Sequence, residues 1–338
     1  MKKNSKIVLA LVCVIVVFVF KSIINYSGNV SNVSFTVNPG DNFLKIASNL
    51  KKEGIIENKN LFIVVSYFSG DYSSIKPGDY VFDGNYTMRG ILDVLKNNRG
   101  IFVVIPEGYN IFQVENTLIK KGIINNKFDL VNYMVGDLGD KIKEYPFLKN
   151  VDLEDNLEGF LYPNSYFFLK NMEVGEVINV FLSHFEKEIY DKVAGDMGED
   201  DFYNKLIIAS MAEKEVYHRN DISNVVSVIE NRMEKNMLLQ IDATLCYIKM
   251  KNSYLNGGEI DCGELVNVDK KLESLYNTYM AKGMIPGPIC NVNYDTFKEV
   301  LVNIDTDYFY YITDPKTKNA VFARDLDGHN INIQKYLK

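Results

Sequence analysis

Cysteine is scarce in this chain, with only 4 among 338 residues. Cys13 lies in an apolar run, and Cys246, Cys262 and Cys290 are an odd number with no C-x-x-C pair. A framework of disulfide bonds is typical of an even set of cysteines at short, regular spacings. We therefore predict buried thiols at these three positions rather than a disulfide framework.

Histidine and basic residues are also limited. The three histidines, His184, His218 and His329, lie far apart without ligand spacing, so no metal or cofactor is expected. Acidic residues outnumber basic ones by 44 to 37, which leaves a net charge of −7. Nucleic-acid binding needs cations clustered on one face, so the composition argues against a nucleic-acid partner.

The longest apolar run lies near the N-terminus. IVLALVCVIVVFVF, residues 7–20, is about 21 Å long as a helix, which is typical of a signal-peptide core. No A-x-A-like cleavage site follows, and a helix that continues past Lys21 to Tyr26 reaches a full span of roughly 20 residues. We therefore favour an uncleaved transmembrane anchor at residues 7–26, with cleavage as the alternative.

Charge on either side of this run predicts its orientation. Three lysines precede the run and only Lys21 follows it closely, so the positive-inside rule places residues 1–6 in the cytoplasm. Residues 27–33 would form a linker, and the rest of the chain would lie outside. The pattern predicts a single-pass protein of the cytoplasmic (inner) membrane.

An internal repeat follows the linker. VNPGDNFLKIASNLKKEGIIENK (37–59) aligns with IPEGYNIFQVENTLIKKGIINNK (105–127) at an offset of 68 residues. In each copy a β-rich run ends in a glycine turn, and an amphipathic helix with a glycine at its C-cap follows. A weaker match of 78–95 to 159–181 predicts a further strand and helix in each copy, with an insertion in the second copy at 136–155.

The first of these βα units opens with a V-x-P-G-D pattern, and the units resemble LysM-type modules, which bind N-acetyl sugars of the cell wall. A spacer that lifts the rest of the chain off the membrane is the alternative interpretation. We assign residues 34–100 to a LysM-like first repeat, 101–185 to a second repeat and 186–338 to a C-terminal domain.

Helical periodicity dominates the C-terminal domain. Residues 201–217 predict one helix and 221–236 another, the second behind an N-cap signal at Asn220 and Asp221. An aromatic strand, an Asp-Pro turn and a return strand predict a hairpin within 307–325. The predicted fold class is α+β, with a single N-terminal transmembrane helix, a LysM-like βα repeat module and a mixed α+β domain.

The first of these helices carries two glutamates in an apolar run, IIASMAEKEV. Since a helix turns about 100° per residue, Glu213 and Glu215 point about 200° apart and cannot serve one site together. Glu215 lies about 20° from Ile208 on the apolar face, whereas Glu213 falls with Ser210 and Tyr217 on the polar side. Burial raises the pKa of a carboxyl, so Glu215 has the environment of a general acid. Glu213 is interpreted as a solvated or salt-bridged surface residue.

A structural role is the alternative for Glu215. A buried arginine, such as Arg219 or Arg232, would pair with the carboxylate and lower its pKa. Paired structural carboxylates also occur in apolar surroundings. The two interpretations therefore differ in whether a guanidinium contacts Glu215.

Six motifs occur in the order and approximate spacing of the endolytic murein transglycosylases, the MltG/YceG-like family. They are LEGFLYPNSY (157–166), ASMAEKEV (209–216), NRMEKNMLLQIDATLCY (231–247), YNTY (276–279), GMIPGPI (283–289) and DGHNINIQKYLK (327–338). Each motif alone is modest evidence, whereas six in order are strong. The chain resembles this family over its whole length, including the N-terminal anchor and the LysM-like module.

The resemblance implies a bacterial enzyme that cleaves between N-acetylmuramic acid and N-acetylglucosamine and leaves a 1,6-anhydro end without consuming water. The second glutamate of the family's E-K-E motif is catalytic, which falls on Glu215 and agrees with the helical phase. Matching motifs imply substrate contacts from Glu158, Gln240, Asp242, Tyr276, Asn277 and Tyr279. For Glu158 we favour support over catalysis, and core packing is an equal alternative for the tyrosines.

Peptidoglycan glycan strands and the cytoplasmic membrane are the expected partners. The resemblance also implies penicillin-binding proteins or other cell-wall synthesis machinery. Two further functions stay open, namely a non-catalytic wall-binding scaffold and a hydrolytic muramidase with Glu158 or Asp242 as its second carboxylate.

The chain departs from the family pattern at three places. Asn164-Ser165-Tyr166 stands where the family often has D-T-Y, and Ile241-Asp242-Ala243-Thr244 stands where it has T-D-P-T. Ala320 stands where the family has a histidine in the C-terminal hairpin. The last departure leaves His329 as the only nearby imidazole, while Glu215 is unaffected.

Overall fold

The computed structural model describes residues 27–38, 40–97, 101–149, 151–193, 197, 199–302 and 304–338. The chain divides into two compact units. Unit 1 holds the described residues up to Phe102 together with Tyr166–Lys170, and unit 2 holds Val103–Ser165 and Asn171–Lys338. The described elements are helices and strands, so the α+β class is confirmed. The domain boundaries drawn from the sequence stay predictions.

Unit 1 is built on a long antiparallel hairpin. Strand β1 (Ser27–Val37) pairs with β2 (Gly78–Thr87). Three helices accompany the hairpin: α1 (Phe43–Lys52), α2 (Lys59–Ser69) and α3 (Met88–Asn97), with a 3₁₀ turn at Asp71–Ser73. Phe62, Phe82 and Leu50 are fully buried in one cluster, so this unit has a hydrophobic core of its own.

The two aligned repeat segments have the same local backbone. Helix α4 (Ile111–Lys120) begins and ends 68 residues after α1, as the alignment predicts. Asn42 and Asn110 cap the two helices, and each side chain accepts the N–H three residues further on. Gly54 and Gly122 follow with φ of 73° and 69°, a conformation that glycine adopts at little cost. The predicted pair of capped helices is confirmed.

The second copy continues as the weaker match predicts. Strand β3 (Ile101–Val104) pairs with β4 (Ser165–Phe168), and α5 (Val174–Phe185) follows β4. Within the predicted insertion the chain forms 3₁₀ segments at Val135–Glu144 and Pro146–Leu148. A π-helical segment and a short helical turn follow α5, at Glu186–Tyr190 and Asp191–Val193.

Helix α6 (Glu199–Glu215) is the centre of unit 2. It packs against α7 (Ile222–Glu234), α8 (Asp242–Leu255) and α9 (Tyr294–Val300). All its residues from Leu206 to Ala212 are buried, which is typical of a helix enclosed on every side. The prediction that Ser210 lies on a polar side is therefore wrong, because its hydroxyl is buried and donates to a carbonyl of the same helix.

The predicted C-terminal hairpin is confirmed. Strand β5 (Tyr310–Thr313) pairs antiparallel with β6 (Ala320–Ala323), with Tyr311 opposite Phe322. Helix α10 (Leu326–Tyr336) packs on both strands. Short 3₁₀ turns lie at Arg219–Asp221, before α7, and at Asp269–Lys271, after α8.

Two predictions for the N-terminal part stay predictions. The anchor at 7–26 lies outside the described residues. Among the residues that are described, no helix is both long and apolar enough to cross a bilayer. The LysM-like assignment of 34–100 stays a prediction.

The prediction of three thiols is wrong for two of them. Cys246 on α8 forms a disulfide with Cys262, 16 residues further along. Gly257 just after the helix has a φ of 77°, and the turn there lets the chain fold back toward α8. The odd number of cysteines misled the prediction, since Cys290 is a separate buried thiol, as expected.

Loss of this cross-link should destabilise the protein. A disulfide that closes a loop of this size restricts the unfolded chain and stabilises the fold by about 3 kcal/mol. We expect the Cys246→Ala/Cys262→Ala variant to unfold at a lower denaturant concentration than the parent. Reduction of the parent should reproduce the loss, and an unchanged midpoint in both cases would contradict the bond.

Candidate active site

Glu215 is the last residue of α6, the point at which this helix leaves the core of unit 2. The residue as a whole keeps partial exposure, whereas its carboxyl group is withdrawn from solvent. Because the helix ends here, the side chain is free to turn toward neighbouring elements. It meets the start of α8 and strand β5.

Two hydrogen-bond donors hold the carboxyl. The Ala243 N–H donates to Oε1 at 3.2 Å, and the Tyr311 hydroxyl donates to Oε2 at 2.7 Å. The first N–H groups of a helix have no partner within the helix, and the N-cap of α8, Ile241, has no side-chain acceptor to offer them. Glu215 therefore supplies the missing acceptor and fixes α8 to the end of α6.

Burial controls the charge of Glu215. Removal from water raises the pKa of its carboxyl, and the nearby Asp242 acts in the same direction. The hydrogen bonds from Tyr311 and Ala243 oppose this rise, but burial is the larger effect and the pKa stays above its ordinary value. A carboxyl in this environment keeps its proton at a higher pH than an exposed glutamate.

Neither arginine considered as a partner contacts Glu215. Arg219 pairs with Asp295, and its other guanidinium nitrogen lies 3.5 Å from Glu107. Arg232 is buried and donates to backbone carbonyl oxygens of Leu238, Leu239 and Phe309. Within the described part of the chain, no cation forms an ion pair with the Glu215 carboxylate.

Asp242 and Tyr279 lie beside this carboxyl. Asp242 is exposed at the first position of α8, and Tyr279 donates its hydroxyl to Asp242 Oδ1 at 2.5 Å. Lys270 lies 4.8 Å from the centre of the Tyr279 ring. These groups give the edge of the site one exposed carboxylate and one half-buried aromatic ring.

Gln240 and Asn277 differ in their exposure to solvent. Gln240 is exposed, with a φ of 55°, and its N–H donates to the Thr278 carbonyl oxygen. Asn277 is completely buried, its amide donates to the carbonyls of Lys270 and Leu272, and its oxygen accepts the Tyr279 N–H. The prediction that Asn277 contacts substrate is corrected, because its polar atoms shape the loop instead.

Tyr276 packs mainly within the protein. Its ring lies 5.0 Å from that of Tyr247 on α8, and burial raises the pKa of its hydroxyl. Its hydroxyl approaches Gly287 so closely that a Cβ there would be 3.1 Å away. The packing alternative therefore describes Tyr276 better than a sugar-stacking role.

Glu158 is buried at 3% exposure, away from solvent. Both of its oxygens accept the Ile111 N–H, at 3.0 and 3.1 Å, and Tyr247 adds a side-chain hydrogen bond. Gly159 next to it has a φ of 90°, and a Cβ there would lie 2.6 Å from Pro288, so only glycine fits. Glu158 thus braces the start of α4 against α8, which is the supporting role favoured from the sequence and not the substrate contact that the motif match implies.

Glu213 differs from its predicted surface position. It is half-buried, accepts a hydrogen bond from the Thr296 hydroxyl, and has a pKa raised by burial. Glu213 and Glu215 both line an open depression of about 280 Å³. The angle of 200° expected on a continuous helix does not separate the two residues, because the helix ends at Glu215. Their carboxyls nevertheless accept hydrogen bonds from different partners.

Sequence reasoning missed Tyr311 and Ala243. The aromatic strand was recognised, but nothing in its pattern indicates which tyrosine reaches Glu215. Side chains alternate along a strand, so Tyr311 shares a face with Phe309. This alternation does not show which face of the strand is turned toward Glu215. His329 lies against the Tyr310 ring at 5.1 Å rather than at the Glu215 carboxyl.

The architecture defines an α+β protein with a duplicated βα element and a carboxyl site at the end of a buried helix. The chain belongs to the YceG-like family, whose family model matches residues 35–335. A protein of Bacillus subtilis (strain 168) named endolytic murein transglycosylase is 25% identical over 321 residues, which cover 91% of this chain and 85% of the relative.

Two further similarities agree with this assignment. A protein of Streptococcus pneumoniae serotype 2 (strain D39 / NCTC 7466) is also named endolytic murein transglycosylase. It is 22% identical over 90% of this chain, and the match spans 58% of that relative's length. The crystal structure of a YceG-like protein from Listeria monocytogenes is 24% identical and has a TM-score of 0.58, over 89% of this chain and 98% of that one. The crystal structure supports the fold.

Stability should fall with rising pH because of Glu158. Burial raises the pKa of Glu158 to about 8 from an ordinary 4.5, so the folded protein holds this proton longer than the unfolded chain. Its contribution is complete below pH 4.5 and is lost as the pH rises toward 8, by at most about 1.4 kcal/mol per pH unit. Denaturant titrations of the parent should show this fall, and Glu158→Gln should lack it. Parallel pH profiles of the two proteins would contradict the assignment.

Proposed function

We propose that this protein is a lytic transglycosylase of peptidoglycan, with Glu215 as its only acid and base. The observation that carries the proposal is the Glu215 carboxyl, which is buried, accepts two hydrogen bonds and has no ion pair among the described residues. The name endolytic murein transglycosylase, borne by relatives in two genera, supports the substrate class.

A single carboxyl is sufficient for this reaction. Protonated Glu215 gives its proton to the glycosidic oxygen, and the bond from that oxygen to muramic acid C1 breaks. The C6 hydroxyl of the same sugar then attacks C1, and its proton passes to the Glu215 carboxylate. No water is consumed, and the attack is intramolecular, so it gains from proximity. An ordinary glycosidase instead requires a second carboxylate for water or for a covalent intermediate.

The rim of the site supplies complementary groups. The exposed carboxylate of Asp242 would favour the positive charge that develops at C1. Tyr279 offers a half-buried ring, and Gln240 an exposed amide, for contacts with sugar hydroxyl and N-acetyl groups. These three residues are the substrate contacts that we retain from the six predicted.

Location and partners complete the proposal. Residues 7–26 would anchor the protein in the bacterial cytoplasmic membrane, with 1–6 inside and the catalytic domain outside, as the lysine distribution indicates. The repeat beginning at residue 34 would act as a LysM-like module that holds the glycan strand. Penicillin-binding proteins or other cell-wall synthesis machinery would be its protein partners.

The decisive test compares two matched glutamate variants. We expect the parent to release muropeptides with anhydro ends from purified peptidoglycan and Glu215→Gln to lose about 10²- to 10⁴-fold of this activity, the usual contribution of a general acid. Glu213→Gln, two residues away on the same helix, should keep most of it. Mass spectrometry of the released products is the measurement.

Each other outcome identifies a different function. Products with one added water per cut, rather than anhydro ends, would indicate a muramidase with Asp242 as its second carboxylate. Binding of sacculi without any release would indicate a wall-binding scaffold. Equal release by the parent and Glu215→Gln would remove Glu215 from the mechanism.

A further inference from the structure

The two donors to Glu215 are chemically different. The Ala243 N–H on Oε1 is a backbone amide, which only donates. The Tyr311 hydroxyl on Oε2 has one proton and two lone pairs, so it can donate to an oxygen or accept a proton from it. Because the amide can only donate, it favours Oε1 as an unprotonated oxygen whether the Glu215 carboxyl is neutral or ionised. Oε2 is then the oxygen that carries the acidic proton.

We propose that Tyr311 is a positioning residue that reverses its hydrogen bond at each proton transfer, accepting from the neutral Glu215 carboxyl and donating to the carboxylate. The inference rests on the proposed function, since it concerns the acid and base steps of that reaction. For the acid step the Oε2 proton turns from Tyr311 to the glycosidic oxygen, and once it has been transferred the phenol turns to donate to the new carboxylate. When the C6 hydroxyl returns a proton to Oε2, the phenol turns back.

The surroundings of Tyr311 suit this behaviour. Burial raises the pKa of its hydroxyl well above the ordinary value, and the Glu215 carboxylate acts in the same direction, so the phenol keeps its proton at any working pH. Among the described residues, the other charged groups that face the pair are Asp242, which is bound by Tyr279, and the guanidinium of Arg232. Arg232 donates to backbone carbonyl oxygens rather than to Glu215. Oε2 has its hydrogen bond with the Tyr311 hydroxyl.

The hairpin does not depend on this hydroxyl for its attachment. Arg232 Nε donates to the Phe309 carbonyl oxygen at 2.6 Å, and the Ala320 N–H donates to Asp221 at 2.9 Å. These two bonds attach the two sides of the hairpin to α7 and to the 3₁₀ turn before it. Loss of the Tyr311 oxygen alone should therefore leave the fold intact while altering the protonation of Glu215.

The test is the pH dependence of kcat/KM for anhydro-product release by Tyr311→Phe. The variant loses the donor that stabilises the carboxylate, so the plateau rate should fall about tenfold or more, as expected for a hydrogen bond to a charged group. The alkaline limb should move to higher pH by about one unit, because Glu215 then holds its proton more tightly. Tyr310→Phe is the matched control, because neighbouring strand residues face opposite sides, and it should leave the limb in place.

A second substitution reverses the sign of the effect. Fluorotyrosine introduced at position 311 has a more acidic phenol and donates more strongly to the carboxylate, so the alkaline limb should move to lower pH. This variant keeps the ring and the hydroxyl, and it tests the inference even if Tyr311→Phe folds poorly.

The outcomes separate the two levels of the account. Absence of anhydro products from the parent would refute the proposed function itself. An active parent whose alkaline limb is the same in Tyr311→Phe, or in the fluorotyrosine protein, would overturn the inference and leave the function standing. A lower rate with an unmoved limb would assign Tyr311 a structural role only.

Discussion

The carboxyl of Glu215 accepts the N–H of Ala243, and the rest of the site depends on this contact between the end of one helix and the start of another. An unpaired amide at the start of α8 would be costly when buried, and so would an unpaired carboxylate. Each group satisfies the other. The Tyr311 hydroxyl adds the C-terminal hairpin to the same point, so three elements from distant parts of unit 2 converge on one side chain.

Two further restraints in unit 2 act on α8. Glu158 ties the first turn of α4 to α8 through the Ile111 N–H and Tyr247. The disulfide from Cys246 restrains the loop that leads from α8 toward Tyr279. None of these groups needs to touch a substrate to matter, because a displacement of α8 would displace Ala243 and with it the Glu215 carboxyl. Several of the motifs that resemble the family therefore preserve geometry rather than contacts with sugar.

Sequence reasoning succeeded where the physics is local. The repeat predicted one helix in each copy with a glycine at its end, because a left-handed glycine acts within a few residues of a helix end. The surface position predicted for Glu213 was wrong, because a helical wheel treats a helix as endless. The choice of Glu215 as the acid stays a prediction. Sequence reasoning could not identify the residues that determine the charge of Glu215. Tyr311 lies 96 residues away in the chain, and neither composition nor periodicity records that proximity.

Direct titration of Glu215 tests the central claim most closely. Carbon-13 labelling of glutamate carboxyl groups, with Glu215→Gln to assign the signal, gives the midpoint of this group in the intact protein. The account predicts a midpoint clearly above the 4.5 of an ordinary glutamate, because burial outweighs two hydrogen bonds and no guanidinium of the described chain pairs with it. A midpoint at or below that value would mean that Glu215 is ionised under working conditions and cannot act as the acid.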